Sequence, residues 1–159
     1  MVVPAPGPGP GNWVGAPSAL LIDPAMYIAY RVRRSQGERG IDVVIARSDD
    51  HLRFETVATI AKDLLGAQSL ERPALSRTPD GRWRVYVSCA TPGTKHWRVE
   101  LLEAHTAEEL PKARPRVVLP GDSARRSVRP GRPDPPGRPR SKGADPIRVG
   151  PGHADGLRK

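Results

Sequence analysis

The chain has 159 residues, 27% of them charged and 4% aromatic, and a formal net charge of +9, which leaves room for one domain and a tail. Residues 1–120 carry 16 Lys/Arg against 13 Asp/Glu and residues 121–159 carry 10 against 4, so the excess that would mark a nucleic-acid binder belongs mainly to the C-terminal stretch. No run approaches the roughly 20 apolar residues of a membrane span, and the lone Cys89 excludes an internal disulfide and makes a cytoplasmic location the default.

The opening MVVPAPGPGPG, residues 1–11, reads as a disordered Pro/Gly arm, without the charged start or apolar stretch of a signal peptide. From residue 12 onward the pattern is that of strands. MYIAYRVR sets Tyr27, Ala29, Arg31 and Arg33 on one face and Met26, Ile28, Tyr30 and Val32 on the other. β-branched and aromatic residues at period two predict a strand. In RSDDHLRFE, Ser48 and Asp50 can bond backbone N–H groups of a turn, with Phe54 following as an apolar plug. RWRVYVSCA sets Trp83, Val85, Val87 and Cys89 against Arg82, Arg84, Tyr86 and Ser88. The TPDG before it is a turn in which Pro fixes φ and Gly supplies a positive one.

An internal repeat organises these elements. At a spacing of 56, Pro17 falls on Pro73, Ala19 on Leu75, Tyr27 on Trp83, Tyr30 on Tyr86, Ile41 on Trp97, Val43 on Val99 and Ile45 on Leu101. Each half reads as four strands, over about 17–22, 26–33, 41–47 and 54–60, then 73–77, 82–89, 96–104 and 115–119. Four antiparallel strands recurring near every 50 residues predict an all-β fold of two propeller blades. The tail from 122 to 159, rich in Arg, Pro and Gly and free of aromatics, predicts a disordered segment.

Several phrases, taken in order, carry a resemblance: GNWVGAPSALLIDPAMYIAYRVRR, IDVVIARSDDHLRFETV, SLERPALSRTPDGRWRVYVSCATPGTKHWRVELLEA and RPRVVLPGD. They resemble the first two blades of the five-bladed propeller glycosidases. That superfamily includes arabinanase-like and xylosidase-like hydrolases, fructosidases and mannoside phosphorylases. The resemblance covers about residues 12–121, with blade one at about 12–62 and blade two at about 68–121. A complete member needs roughly 250–350 residues, so it implies an incomplete propeller. The tail then reads as a frameshift product, since Arg, Pro, Gly and Ala have GC-rich codons.

The resemblance implies a funnel lined by the innermost strands, where carboxylates act as acid and as base or nucleophile. Glu71, two residues before Pro73, is the catalytic candidate, and Arg72 could orient it or hold a sugar hydroxyl. A surface charge pair at a hairpin mouth is the alternative. The first blade offers Ala16 before Pro17 where relatives often carry an acid, and Asp23 suits a turn. The third carboxylate would lie beyond Gly121. Lys95, His96 and Trp97 stand where a mouth loop could present them to a sugar, against Trp97 as a core plug and His96 as a solvated edge. Arg31, on a face shared with Arg33, is either solvated or paired with an anion. Trp13 is either a sugar platform or packing.

No metal or other cofactor is expected, because the histidines show no metal-ligand spacing. Cys89 reads as a small core hydrophobe. The expected function is therefore a glycoside hydrolase-like, carbohydrate-active protein that is inactive as this chain. The alternative is a non-catalytic propeller sector binding a glycan or a protein. Nucleic-acid association through the tail ranks lower, since the tail lacks aromatics for stacking. Self-association through uncovered blade faces is also expected.

Overall fold

The computed structural model describes residues 3–35 and 39–121. These lie in one compact unit, residues 1–124. The expectations for the tail, its disorder and its frameshift origin, fall outside the described residues.

The described chain is all-β, with two four-stranded antiparallel sheets and two short 3₁₀ turns at Lys62–Leu65 and Leu110–Lys112. The first sheet runs β1 (Trp13–Ile22), β2 (Ala25–Arg33), β3 (Asp42–Ser48) and β4 (Glu55–Ala61). The second runs β5 (Leu70–Arg77), β6 (Trp83–Ala90), β7 (Trp97–Ala104) and β8 (Arg116–Leu119). Each is a meander in chain order, the expected two-blade architecture. Residues 3–11 contain no strand or helix, and Val3 rests against the apolar cluster formed by Tyr30, Val32, Val44 and Ala46.

Both inner strands begin earlier than the sequence predicts. A proline cannot donate to a ladder, so a strand start at Pro17 and at Pro73 is the simple expectation. Instead each proline sits in a bulge: the register shifts between Gly15 and Ser18 in β1 and between Glu71 and Ala74 in β5. Ala16 and Arg72 take the left-handed backbone there, at φ 53° and 42°. The strand resumes on the N-terminal side, which places Trp13 and Glu71 inside β1 and β5 and not in a preceding loop.

The repeat holds, with one correction. Ser18 to Ala74 and Ile45 to Leu101 keep the spacing of 56, but their ladder partners are Ala29 and Tyr86, which stand 57 apart. One extra residue in the β5–β6 turn shifts the second strand, and a shift of one residue exchanges the two faces of a strand. Tyr27 and Trp83 are therefore not equivalents. They meet across the sheets edge to face, with ring centroids 4.5 Å apart.

The principal core lies between the sheets. Ala29, Val43, Ile45, Ala58 and Ile60 of the first meet Leu75, Trp83, Val85, Val87, Cys89, Leu102 and Ala104 of the second. Polar clamps fix the sheets together. The Leu75 N–H donates to the Ser18 hydroxyl at 3.0 Å, and the Leu70 N–H to the Gly40 carbonyl at 2.7 Å. Gly40 has φ 52°, and a Cβ there would lie 2.0 Å from the Leu70 carbonyl oxygen. No larger residue fits. Arg98 pairs with the buried Glu100 at 2.6 Å and donates to the Leu65 carbonyl at 2.5 Å, tying β7 to the 3₁₀ turn.

The turn after Ser48 forms as expected. Asp50 accepts from Leu52 N at 2.9 Å, Arg53 N at 2.8 Å and the Ser48 hydroxyl at 3.0 Å. These bonds, led by the two backbone ones, lower its pKa to about 2. His51 takes φ 60°, the conformation for which glycine is common, and its Nε2–H donates to the Pro24 carbonyl at 2.8 Å. Phe54 packs into the second apolar cluster.

The second sheet's outward face carries charged side chains. Arg84 and Arg82 pair there with Glu103 at 2.5 and 3.2 Å. Large exposed apolar groups on this sheet's outermost strand are Val117 and Leu119. Among the described residues, no helix is long and apolar enough to cross a membrane.

Candidate functional site

The inner strands β1 and β5 start at the same end of the two sheets, where β2 and β6 finish and β7 begins. Side chains at this mouth therefore come from both sheets. Glu71 pairs with Ser88 in the β5–β6 ladder, and its carboxylate forms an ion pair with Nη1 of Arg31 from β2. The Arg31 side chain is 8% exposed and that of Glu71 32%, so the pair is sealed on one side and open on the other. Arg31 was expected to be either solvated or paired with an anion. It is paired, and the anion is Glu71.

The Arg31 guanidinium also lies 4.4 Å from the centroid of the Trp13 ring, with Arg33 at 5.7 Å from the same ring. That distance is in cation–π range. Trp13 thus packs against both arginines. Gly15 makes room for it: a Cβ there would come within 2.5 Å of the Trp13 ring. Burial, then the nearby Arg33 and Arg72, lower the Arg31 pKa. Its buried Nε has no hydrogen-bond partner. Arg72 is exposed at the crest of the bulge.

On the open side of Glu71 lies a cavity of about 270 Å³ lined by Arg39, Ser69, Glu71, Lys95, His96 and Trp97, among others. The turn Thr91–Thr94 contributes Thr94 to its lining. Thr94 N–H and Oγ1 both bond the Thr91 carbonyl, at 3.2 and 3.0 Å, and the Thr94 hydroxyl accepts from His96 N at 3.1 Å. Trp97 is 48% exposed and lies in the lining of this cavity, outside the core between the sheets. Four of the sequence candidates, Glu71, Lys95, His96 and Trp97, thus share one cavity, and Arg31 supports it from behind. Trp13 and Arg72 lie beside it without lining it.

The sequence reading missed Arg39. It belongs to a polar segment containing Arg33 and Arg34, with nothing in its own pattern to single it out. The one signal was Gly40 after it, whose close approach to β5 fixes where the segment turns. The first inner strand brings no carboxylate to the mouth, since its residues 13–16 are Trp, Val, Gly and Ala. Cys89 is buried between the sheets, and burial with the nearby Glu100 raises its pKa to about 12. It stays a thiol and serves as core. No cluster of three or more metal-ligating side chains occurs among the described residues.

No family model matches the chain and no curated protein matches it in sequence. Solved structures do. The GH43_1 enzyme from Xanthomonas citri complexed with xylotriose superposes with a TM-score of 0.51 at 16% identity, over 66% of this chain and 31% of that one. A second structure of a GH43_1 enzyme from the same organism gives 0.51 and 16%, over 66% and 32%. A glycosyl hydrolase from Bacteroides ovatus gives 0.48 and 17%, over 65% and 30%. The chain spans about a third of the length of these proteins. At such identities the likeness is one of fold. The chain has the fold of two β-propeller blades.

Proposed function

We propose that this chain is a glycoside hydrolase-like protein by ancestry, one sector of a five-bladed propeller, whose mouth binds a single sugar ring without cleaving it. The observation that carries this reading is the cavity shared by Glu71, Lys95, His96 and Trp97 at the start of the inner strands. The half-exposed Trp97 offers a flat apolar face to the C–H side of a pyranose. Lys95, Arg39 and His96 supply donors for ring hydroxyls, and Glu71 accepts from them. A lone, buried thiol suits a reducing, cytoplasmic compartment.

Cleavage asks for more. Glycoside hydrolysis uses two carboxylates, roughly 5 to 9.5 Å apart, on either side of the bond. Here Glu71 is neutralised by Arg31, and the corresponding bulge of β1 carries Gly15 and Ala16. The Arg31–Glu71 pair is the specific observation that favours glycan binding over turnover.

The test combines binding and turnover on the full chain. Xylose and xylotriose are titrated by calorimetry at concentrations up to ~10 mM, where millimolar affinity is measurable, and nitrophenyl xylosides, arabinosides and mannosides are assayed for release. Binding that weakens in Trp97→Ala, with no release above background, is expected. Release that disappears in Glu71→Gln would make the chain an enzyme, and absence of sugar binding would remove the reading altogether.

A further inference from the structure

Among the described residues that line or back the cavity, positive charges outnumber negative ones. Arg39 and Lys95, both exposed, line the cavity with Glu71. Arg31 backs Glu71, Arg33 shares the Trp13 ring with Arg31, and Arg72 follows Glu71 in β5. Among these described residues, five cations stand around one carboxylate, and Arg31 already holds it. Arg31 bears the strain of this arrangement, since its Nε is buried without a partner and Arg33 and Arg72 oppose its charge. Cations converging on a concave surface raise the local concentration of anions. A neutral sugar leaves that field unanswered.

The cavity's size adds a constraint. At about 270 Å³ it lies just below the ~300–1,000 Å³ of pockets for drug-sized ligands. Trp97, Lys95 and Arg39 line the same small space. A ring on the indole and an anion on the cations must then belong to one small molecule.

We infer that the ligand of this mouth is an acidic sugar, a monosaccharide unit bearing a carboxylate or a phosphate, with its ring on Trp97 and its oxyanion on Lys95 and Arg39. The inference rests on the sugar-binding reading above and adds the chemical class. Charge-assisted hydrogen bonds from Lys and Arg to an oxyanion are about twice as strong as neutral ones, and they supply the selectivity.

The test is calorimetric titration of the full chain, at one fixed ionic strength, with glucose, glucuronic acid, glucose 6-phosphate and inorganic phosphate. The three sugars differ only at C6. The expected result is that one acidic sugar binds at least about tenfold tighter than glucose, the margin of one charge-assisted contact. Which of the two it is separates carboxylate from phosphate. Lys95→Gln and Arg39→Gln, both at exposed positions, should each reduce that margin several-fold, costing the acidic sugar more affinity than glucose. Equal affinity for glucose and the acidic sugars overturns the class and leaves sugar binding standing. Failure of every sugar to bind overturns both. Phosphate alone binding as tightly as the acidic sugars overturns the single-ligand geometry, and unchanged margins in the two variants place the acid elsewhere.

Discussion

Gly40 and Gly66 form a matched pair for weighing the contact that holds the second sheet, and with it Glu71, against the first. Both have φ 52°, so alanine meets the same left-handed strain at each, roughly 1–2 kcal/mol, offset by about 0.4–1 kcal/mol from a stiffer unfolded chain. A Cβ on Gly66 meets nothing within 4 Å, whereas on Gly40 it meets the Leu70 carbonyl oxygen at 2.0 Å, Ser69 Oγ at 2.6 Å and Leu70 N at 2.7 Å. The Gly40 loop must then move away from β5, which breaks the Leu70 N–H to Gly40 C=O bond. Leu70 is fully buried, so its N–H is left without a partner at a further cost of about 1–3 kcal/mol. Gly66→Ala should therefore cost about 1 kcal/mol, and Gly40→Ala about 3 kcal/mol. Urea unfolding followed by tryptophan fluorescence resolves this, because with a slope of about 1–3 kcal/mol/M the two midpoints separate by about 1 M. Equal midpoints for the two variants would refute the idea that this backbone contact joins the sheets.

Three more outcomes are expected. A double-mutant cycle of Arg31→Met and Glu71→Gln should give a coupling of about 2 kcal/mol, between the values for exposed and buried ion pairs, because one partner is sealed and the other a third exposed; a coupling below about 0.5 kcal/mol in urea unfolding would place the pair at the surface. The Asp50 carboxyl, held at about 2 against an ordinary 3.8, contributes stability that is complete above pH 3.8 and lost as pH falls through 2. Wild-type and Asp50→Asn unfolding curves should thus converge on acidification, and a gap that stays constant would contradict the turn's hydrogen bonding. Cys89, with its pKa pushed up to about 12, should resist a thiol reagent at pH 8 in the native chain and react on unfolding; rapid native labelling would show the core open.

The strands were legible because their residues alternate strictly, as in Trp83, Val85, Val87 and Cys89, all buried. The turns were legible because Asp50 and Gly81 each do something local: Asp50 caps backbone N–H groups, and Gly81 takes φ 86°. Lys95, His96 and Trp97 could be placed near Glu71 because a meander brings the end of β6 and the start of β7 beside the start of β5. What escaped depends on contacts between sheets. Nothing local marks Arg31 as the partner of Glu71, forty residues on. The bulges at Pro17 and Pro73 look like strand starts in sequence because a missing N–H reads the same either way. The register of β6 against β2 turned on one residue of turn length, and side-chain type could not detect it, since Tyr27 and Trp83 are both large aromatics.

The Ser18–Leu75 bond has a further effect. The innermost strand of a sheet is an edge, and an edge with unpaired N–H groups invites a foreign strand. Here Pro17 and Pro73 have no N–H to offer, the bulges bend both inner strands, and Ser18 occupies the Leu75 donor at 3.0 Å. The chain thus guards its own inner rim against edge-to-edge polymerisation with the same residues that hold its two sheets in place.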